Sequence, residues 1–426
     1  MHFVIVGGSL GGLAAGIALK SLGHDTTILE RNPTTLLHDQ GAGIVAGGPA
    51  LEFLRRYNRC KRQGIAIPSH LRQYLDKDGT IVHSTPASHN MSSWDLTYRI
   101  FRANYDGLAS AYCDVPPPDP SQGRASHRHN STVTAVTALP SGSGVLVTFH
   151  ATTSPCLTST LTADVLIAAD GPSSTIRSLF LPHLKRTYTG YCALRGTVPE
   201  PALSPTTLSL LAGKFTFFHA PGIQILTYLI PGVHGSLTPG NRLMNFVYYT
   251  NFPASSAALD EILTDKHGNR HRVTLPPGMV SPQAWEKQKE IAVQKLPPQF
   301  AEVVCAAEKP FVQAVTDVIS PDNEFLDGRV VLMGDALAGF RPHTVASTSQ
   351  AAYDAMVYAD YVAGKMGRGE WKGRTMGYAR YVQKKGVAMG ERSQFGGLGL
   401  GELVRDRDEM SRPVREEDFL EMGTQV

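Results

Sequence analysis

Three short, unbroken apolar runs along the chain each stop abruptly at glycine or aspartate. The first, at residues 3–6, leads into Gly7-Gly8-Ser9-Leu10-Gly11-Gly12. The second, within 163–169, ends in Asp170-Gly171, and the third, within 328–333, ends in Gly334-Asp335. Apolarity without alternation suits parallel strands buried on both faces. After the first run, Leu13, Ile17 and Leu22 with small alanines between them predict a helix that stops at Gly23. Residues 26–29 predict the next strand, which ends at Glu30-Arg31.

Strand, glycine turn, helix, strand and terminal acid together form a dinucleotide-binding fingerprint. Backbone without side chains lets a pyrophosphate approach, and the helix N-terminus offers it free N–H groups and positive dipole. Glu30 stands 23 positions after Gly7, placed to accept hydrogen bonds from ribose hydroxyls. One position departs from the pattern: the middle glycine of G-x-G-x-x-G is Ser9. The later Asp-Gly turn suggests another edge of the same nucleotide site.

Elsewhere the pattern changes. From about 186 to 272, aromatic and β-branched residues alternate in short runs separated by Pro-Gly pairs, which predicts a mostly antiparallel sheet. Residues 71–82 predict a hairpin turning at Lys77-Asp78-Gly79, and 132–149 another around 141–144. A helix is expected from Pro49, with further helices over 282–295, 298–307 and 345–363. Residues 97–108 read as strand then helix and carry Arg102. The last fifty or so residues are charged and helical, interrupted at 395–399, with a solvated tail from Arg405. The expected organisation is α/β. A discontinuous Rossmann-like nucleotide-binding domain (1–70, 97–185 and 310–365) holds an inserted, mostly antiparallel β-sheet domain for the substrate (71–96 and 186–309), followed by a C-terminal helical segment and tail (366–426).

Composition narrows the function classes. Net charge is +3 with both signs interspersed, so neither nucleic acid nor an anionic surface is an expected partner. No apolar run reaches membrane-spanning length, and the N-terminus lacks a basic leader, which reads as a cytoplasmic protein. The five cysteines are scattered without a C-x-x-C and read as free thiols. No metal is expected, since the histidines lack ligand spacing; His127 and His129 read as part of a solvated loop.

The three strand-end motifs, in this order over the chain, resemble the single-component aromatic flavoprotein monooxygenases. Within them the chain looks most like the 2,6-dihydroxypyridine 3-hydroxylase branch. The residues that carry this are Gly7-Gly8-Ser9, Gly41-Ala42-Gly43-Ile44, the stretch 190–200, the stretch 245–249 and Arg341-Pro342-His343. The resemblance implies a p-hydroxybenzoate hydroxylase-like fold and a bound FAD. FAD would be held by Gly7, Ser9, Leu10 and Gly12 at the first turn, by Glu30 and Arg31 beyond it, and by Gly43 and Ile44. Arg102 would contact the pyrophosphate or ribityl chain. Asp170, in the Asp-Gly motif, would serve FAD and the nicotinamide cofactor, and Gly334 and Asp335 would meet the FAD ribose and ribityl region. Pro342, Val345 and Ser347 would lie beside the flavin. The family has glycines near the last two positions, and its branch has tryptophan where Leu194 stands here.

The implied activity is hydroxylation of an electron-rich aromatic substrate (a phenol, hydroxybenzoate or hydroxypyridine) with NADPH or NADH and O2, through a C4a-hydroperoxyflavin. Ionising such a substrate calls for a base or acceptor. His343 is the first candidate; His219 and Tyr228 lie on strands that could floor the cavity, and Arg195 could bind an anionic substrate. Rival readings are oxidative decarboxylation, epoxidation or Baeyer–Villiger oxidation of a specialised metabolite, and a catalytically silent flavin-binding protein. A monomer or homodimer is expected.

Overall fold

A computed structural model describes residues 1–37, 43–62, 64–140, 142–397, 399–410 and 415–423. Gly41 and Ala42, which carry part of the resemblance, lie outside the described residues.

The three apolar runs become neighbouring parallel strands. His2–Val6 pairs with Val165–Ala168 on one side and Asp25–Leu29 on the other, and Val165–Ala168 pairs in turn with Val330–Leu332. Ala125–Arg128 extends this sheet in parallel beside Asp25–Leu29, and Glu324–Phe325 closes the other edge antiparallel. Phe3, Ile5, Leu166, Ile167 and Val330 are almost wholly buried, as two-sided burial requires. Helices Leu10–Ser21 and Ser347–Val362 pack on this sheet, so all three motif turns emerge at the carboxyl ends of adjacent strands.

A second, ten-stranded sheet carries the aromatic runs. Its centre is antiparallel: Thr187–Pro199 pairs with Leu243–Asn251, which pairs with Ile223–Ile230, which pairs with Lys214–Ala220. Every residue of Ile223–Ile230 is buried because both faces are covered. Ile225 and Leu229 point into a core with helices Pro282–Lys295 and Pro298–Cys305, while Leu226 and Tyr228 point to the opposite face. Period-two geometry thus separates the packing face from the face turned to the parallel sheet's motif turns.

Several sequence expectations change. Gly43–Val45 and Phe311–Ile319, both assigned to the nucleotide domain, are strands of the large antiparallel sheet. The expected strand near 97 is absent: Trp94–Asp106 is one helix, capped by the Ser93 hydroxyl at the Leu96 amide. Residues 127–128 are not in a solvated loop but in the edge strand Ala125–Arg128, whose ladder to Asp25–Leu29 needs no periodic pattern of its own.

The charged C-terminus is also tied down. The 27-residue helix Arg368–Gln394 lies against the molecule, with Trp371 and Ala379 buried. Beyond Arg405, helix Glu417–Gly423 docks on it through Phe419, which is 1% exposed and meets the Tyr353 and Tyr378 rings edge-on. Helix Leu400–Met410 buries Val404 on the same sheet face as Tyr228 and Tyr249. Among the described residues, no helix is long and apolar enough to cross a membrane.

Phe419→Ala should cost about 3–5 kcal/mol, as for other buried aromatics. Urea unfolding measures it, and a change under about 0.5 kcal/mol would mean that the terminal helix is not part of the cooperative fold.

Candidate active site

Between the parallel sheet's motif turns and the aromatics on the facing side of the large sheet lies a cavity of about 370 Å³. On one side it is lined by Ser9, Leu10 and Gly11, by Gly171, and by Gly334 and Asp335. Across from these stand Tyr228, Val247, Tyr249 and Arg195 from the antiparallel strands.

Close backbone contact explains the first turn. Gly7 has φ +107°, and a Cβ there would stand 2.4 Å from the Ala169 carbonyl oxygen. A Cβ on Gly12 would stand 1.9 Å from the Gly7 carbonyl oxygen. Neither position admits a side chain. Ser9 is different: its φ of −87° and ψ of −167° are ordinary extended backbone, so serine costs nothing there. The Ser9 side chain makes no cap bond, which leaves first-turn amides of helix Leu10–Ser21 for a ligand. Helix Ser347–Val362 likewise begins without a side-chain cap, and Ser347 and Thr348 line the same cavity. Two positive helix ends therefore converge on one space.

The acidic residues take distinct places. Glu30 is buried with its carboxylate accepting from the Gly8 amide at 2.6 Å and the Asn32 amide at 2.8 Å. Asp170 accepts from the Thr175 and Ile176 amides at 2.7 and 3.2 Å, so it caps the short helix Thr175–Phe180. Asp335 reaches the cavity, and burial pushes its carboxyl up to about 6, against the opposing pull of Arg186 and Arg177. Its Oδ1 is buried with no protein partner among the described residues. Arg177, buried among these turns, donates at 2.6 Å to both the Ala336 and the Pro172 carbonyls and so joins the Asp-Gly and Gly-Asp loops. Asp354 holds the second loop from behind, accepting from the Gly334 amide at 2.9 Å, and burial pushes its carboxyl up to about 8.

An extended dinucleotide fits these features. The glycine turn leaves no side chain in its path, the helix ends favour anionic groups, and the orphaned Asp335 oxygen awaits a hydroxyl.

Not every expected residue lies here. Gly43 lines the cavity, but a Cβ there would meet the Tyr228 hydroxyl at 2.4 Å, so its small size serves the approach of that ring. Ile44, Pro342, Val345 and Ser347 also line the cavity. Arg31 is exposed on the surface. Arg102 is 2% exposed and turned inward: it pairs with Asp106 at 2.8 Å and donates to the Tyr98 hydroxyl and the Thr35 carbonyl. These partners occupy the guanidinium that the resemblance directs to FAD.

Among the candidate catalytic groups, Tyr228 and Arg195 line the cavity and the two histidines do not. His343 is 1% exposed, stacked behind Tyr249 at 4.2 Å between ring centroids and hydrogen-bonded to the Tyr191 hydroxyl at 3.0 Å. It holds the Pro342 turn against the sheet and does not open into the cavity. His219 stacks with Tyr74 and Phe217 further along the sheet. Sequence reasoning missed Arg186, Trp94, Tyr249 and Gln313, all cavity-lining. Tyr249 ends the 245–249 stretch that carries the resemblance; the other three stand at no motif offset, and strand register and loop packing bring them in.

Comparison with known proteins agrees with this geometry. A family model described as FAD binding domain-like matches residues 188–317. The 2,6-dihydroxypyridine 3-monooxygenase of Paenarthrobacter nicotinovorans is 27% identical over 401 residues, 93% of this chain and 92% of that protein. The solved structure of 2,6-dihydroxypyridine-3-hydroxylase from Arthrobacter nicotinovorans superposes with a TM-score of 0.79 at 26% identity, covering 93% of this chain and 94% of that one. Klebsiella pneumoniae HpxO complexed with FAD and uric acid shares the fold, with a TM-score of 0.67 at 18% identity over 99% of this chain and 96% of that one. The chain is an FAD-dependent monooxygenase of the aromatic-hydroxylase class, with the p-hydroxybenzoate hydroxylase-like fold. Within that class it is similar to the 2,6-dihydroxypyridine 3-hydroxylases.

Two predictions follow from the turns. Because a sugar hydroxyl bonds best to the ionised carboxylate, FAD should bind more weakly as pH falls through about 6, by up to about tenfold per pH unit. Fluorescence titration of FAD into the apoprotein measures this, and Asp335→Asn should flatten the dependence; an unaltered profile in that variant would remove Asp335 from the sugar contact. Val345 sits in the left-handed region at φ 50° and is 36% exposed, so a β-branched residue is strained there with little packing to lose. Val345→Gly should raise stability by about 1 kcal/mol in urea unfolding, whereas a loss would show that the isopropyl group packs productively.

Proposed function

We propose that this monooxygenase hydroxylates a small electron-rich aromatic ring bearing an acidic hydroxyl or a carboxylate. One observation carries the reading. Arg195 presents a guanidinium to the cavity and has no ion-pair partner among the described residues; it stacks 5.2 Å from the Phe311 ring, with its Nε buried and unbonded. A half-buried cation left without a carboxylate among the described residues suits an anionic ligand.

When bound, FAD supplies hydride acceptance from NAD(P)H and activation of O2 for transfer of one oxygen atom. The chain's own residues do the rest. Arg195 pairs with the substrate's anionic oxygen and favours its ionised form by direct charge attraction. Ionisation enriches the ring in electrons, so this electrostatic pull takes the part first assigned to a histidine base. Tyr228 stands nearby with its hydroxyl pushed up to about 12 by burial, partly offset by Arg195; it stays protonated and donates to the same oxygen. Val247, Leu226 and the Tyr249 ring wall out water and orient the substrate plane. The uncapped start of helix Ser347–Val362 stabilises negative charge on the opposite side. His343 acts through Tyr249 and the Pro342 turn as a positioning residue.

The identity of relatives that act on 2,6-dihydroxypyridine supports a substrate of this kind. In this reading the enzyme works in the cytoplasm, as a monomer or homodimer without nucleic-acid or membrane partners. Its nucleotide-binding and substrate-binding parts divide the chain between the parallel and the antiparallel sheet.

Screening phenols, hydroxybenzoates and hydroxypyridines for stimulation of NAD(P)H oxidation, with a product one oxygen heavier, tests the reading. Arg195→Met should raise KM for the responding anionic substrate about 10- to 100-fold while leaving FAD affinity unchanged. An unaltered KM, or a response confined to neutral rings, would overturn the assignment of Arg195.

A further inference from the structure

Away from the cavity, the fold brings together two cysteines that are far apart in the chain. Cys60 follows helix Gly48–Tyr57, and Cys113 follows helix Trp94–Asp106. Their thiols face consecutive carbonyls of that second helix: Cys60 Sγ donates to Ile100 at 3.9 Å and Cys113 Sγ to Arg99 at 3.8 Å. Both thiols therefore lie against the same helical turn, beside one another. Cys60 is 8% exposed and receives a bond from the Asn104 amide at 3.1 Å, while Cys113 is half-buried. The pair is asymmetric in a way that matters chemically. Contact with Cys60, with the Arg62 guanidinium nearby, holds the Cys113 thiol below the ordinary range. The same contact, with burial, pushes the Cys60 thiol up. A more accessible, more acidic thiol beside a buried one is the arrangement of an attacking and a resolving cysteine.

We propose that Cys60 and Cys113 form a peroxide-sensitive dithiol that closes to an intramolecular disulfide. The Cys113 thiolate attacks one oxygen of hydrogen peroxide; the O–O bond breaks, the departing hydroxide takes up a proton to become water, and a sulfenic acid remains on Cys113. The Cys60 sulfur then attacks the Cys113 sulfur, and the sulfenic hydroxyl leaves as water with the Cys60 proton. Two thiols and one hydrogen peroxide give one disulfide and two waters, the sulfurs losing the two electrons that the peroxide oxygens gain. The oxidant is the peroxide that a flavin monooxygenase releases when it reduces O2 without hydroxylating a substrate. The bond staples the segment after helix Gly48–Tyr57 to the segment after helix Trp94–Asp106, whose first residue, Trp94, lines the cavity.

The full-length, FAD-loaded protein is treated with equimolar hydrogen peroxide, alkylated under denaturing conditions and mapped by mass spectrometry without reductant. The expected result is a linked peptide pair containing Cys60 and Cys113, reversed by dithiothreitol, with the exposed Cys156 still alkylated. In Cys60→Ser, Cys113 should stop at a dimedone-reactive sulfenic acid. The proposal is overturned if both thiols remain alkylated while Cys156 oxidises, or if Cys113 passes to sulfinic acid without cross-linking. No substrate or turnover enters this measurement, so its outcome is separate from the fate of the hydroxylase reading.

Discussion

The cavity depends on a buried guanidinium. Arg177 reaches between two loops that are over 150 residues apart in the chain and donates to one carbonyl of each, Pro172 and Ala336. Burial disfavours its charge, and the nearby Asp170 and Asp335 carboxyls oppose that effect. Desolvation makes such a group costly unless every partner is in place, so the loops are held in one relative position. Asp354 and Gln350 fix the Gly334 peptide from the other side. The result is a preorganised rim at the carboxyl ends of three adjacent strands, onto which two uncapped helix starts also point.

The opposite wall belongs to the antiparallel sheet, and the two walls meet where side-chain size is most restricted. Tyr228 approaches Gly43 so closely that no Cβ fits, and the Gly43 amide donates to Asn245 at 2.9 Å. The stack of Tyr249 on His343, with Tyr191 hydrogen-bonded behind, ties the Pro342 turn to the same sheet. Arg341, next in the chain, pairs with Asp317 and Glu391 and thereby joins the turn to the long C-terminal helix. In the proposed reaction, position derives from cross-sheet packing and charge from Arg195 and the helix ends.

Local sequence determined the parts whose physics is local. Gly7 and Gly12 declare a turn in which backbone meets backbone, the two-sided apolar runs declare parallel strands, and Glu30 declares the end of the second one. Those signals reach only a few residues, which is why they could be read without a fold. FAD and the monooxygenase class were implied only by the family resemblance that their order carries.

What only the tertiary structure decided was which side chains face the cavity and what else they touch. Arg102 and Arg195 look alike in sequence, yet one is neutralised by Asp106 on its own helix and the other has no ion-pair partner among the described residues. His343 follows the expected proline, but a 3₁₀ turn over Pro342–Thr344 puts its ring behind Tyr249. Cys60 and Cys113 carry no spacing signal, and they meet because two helices pack. Strand register, helix packing and desolvation are long-range effects, and no pattern along the chain encodes them by itself.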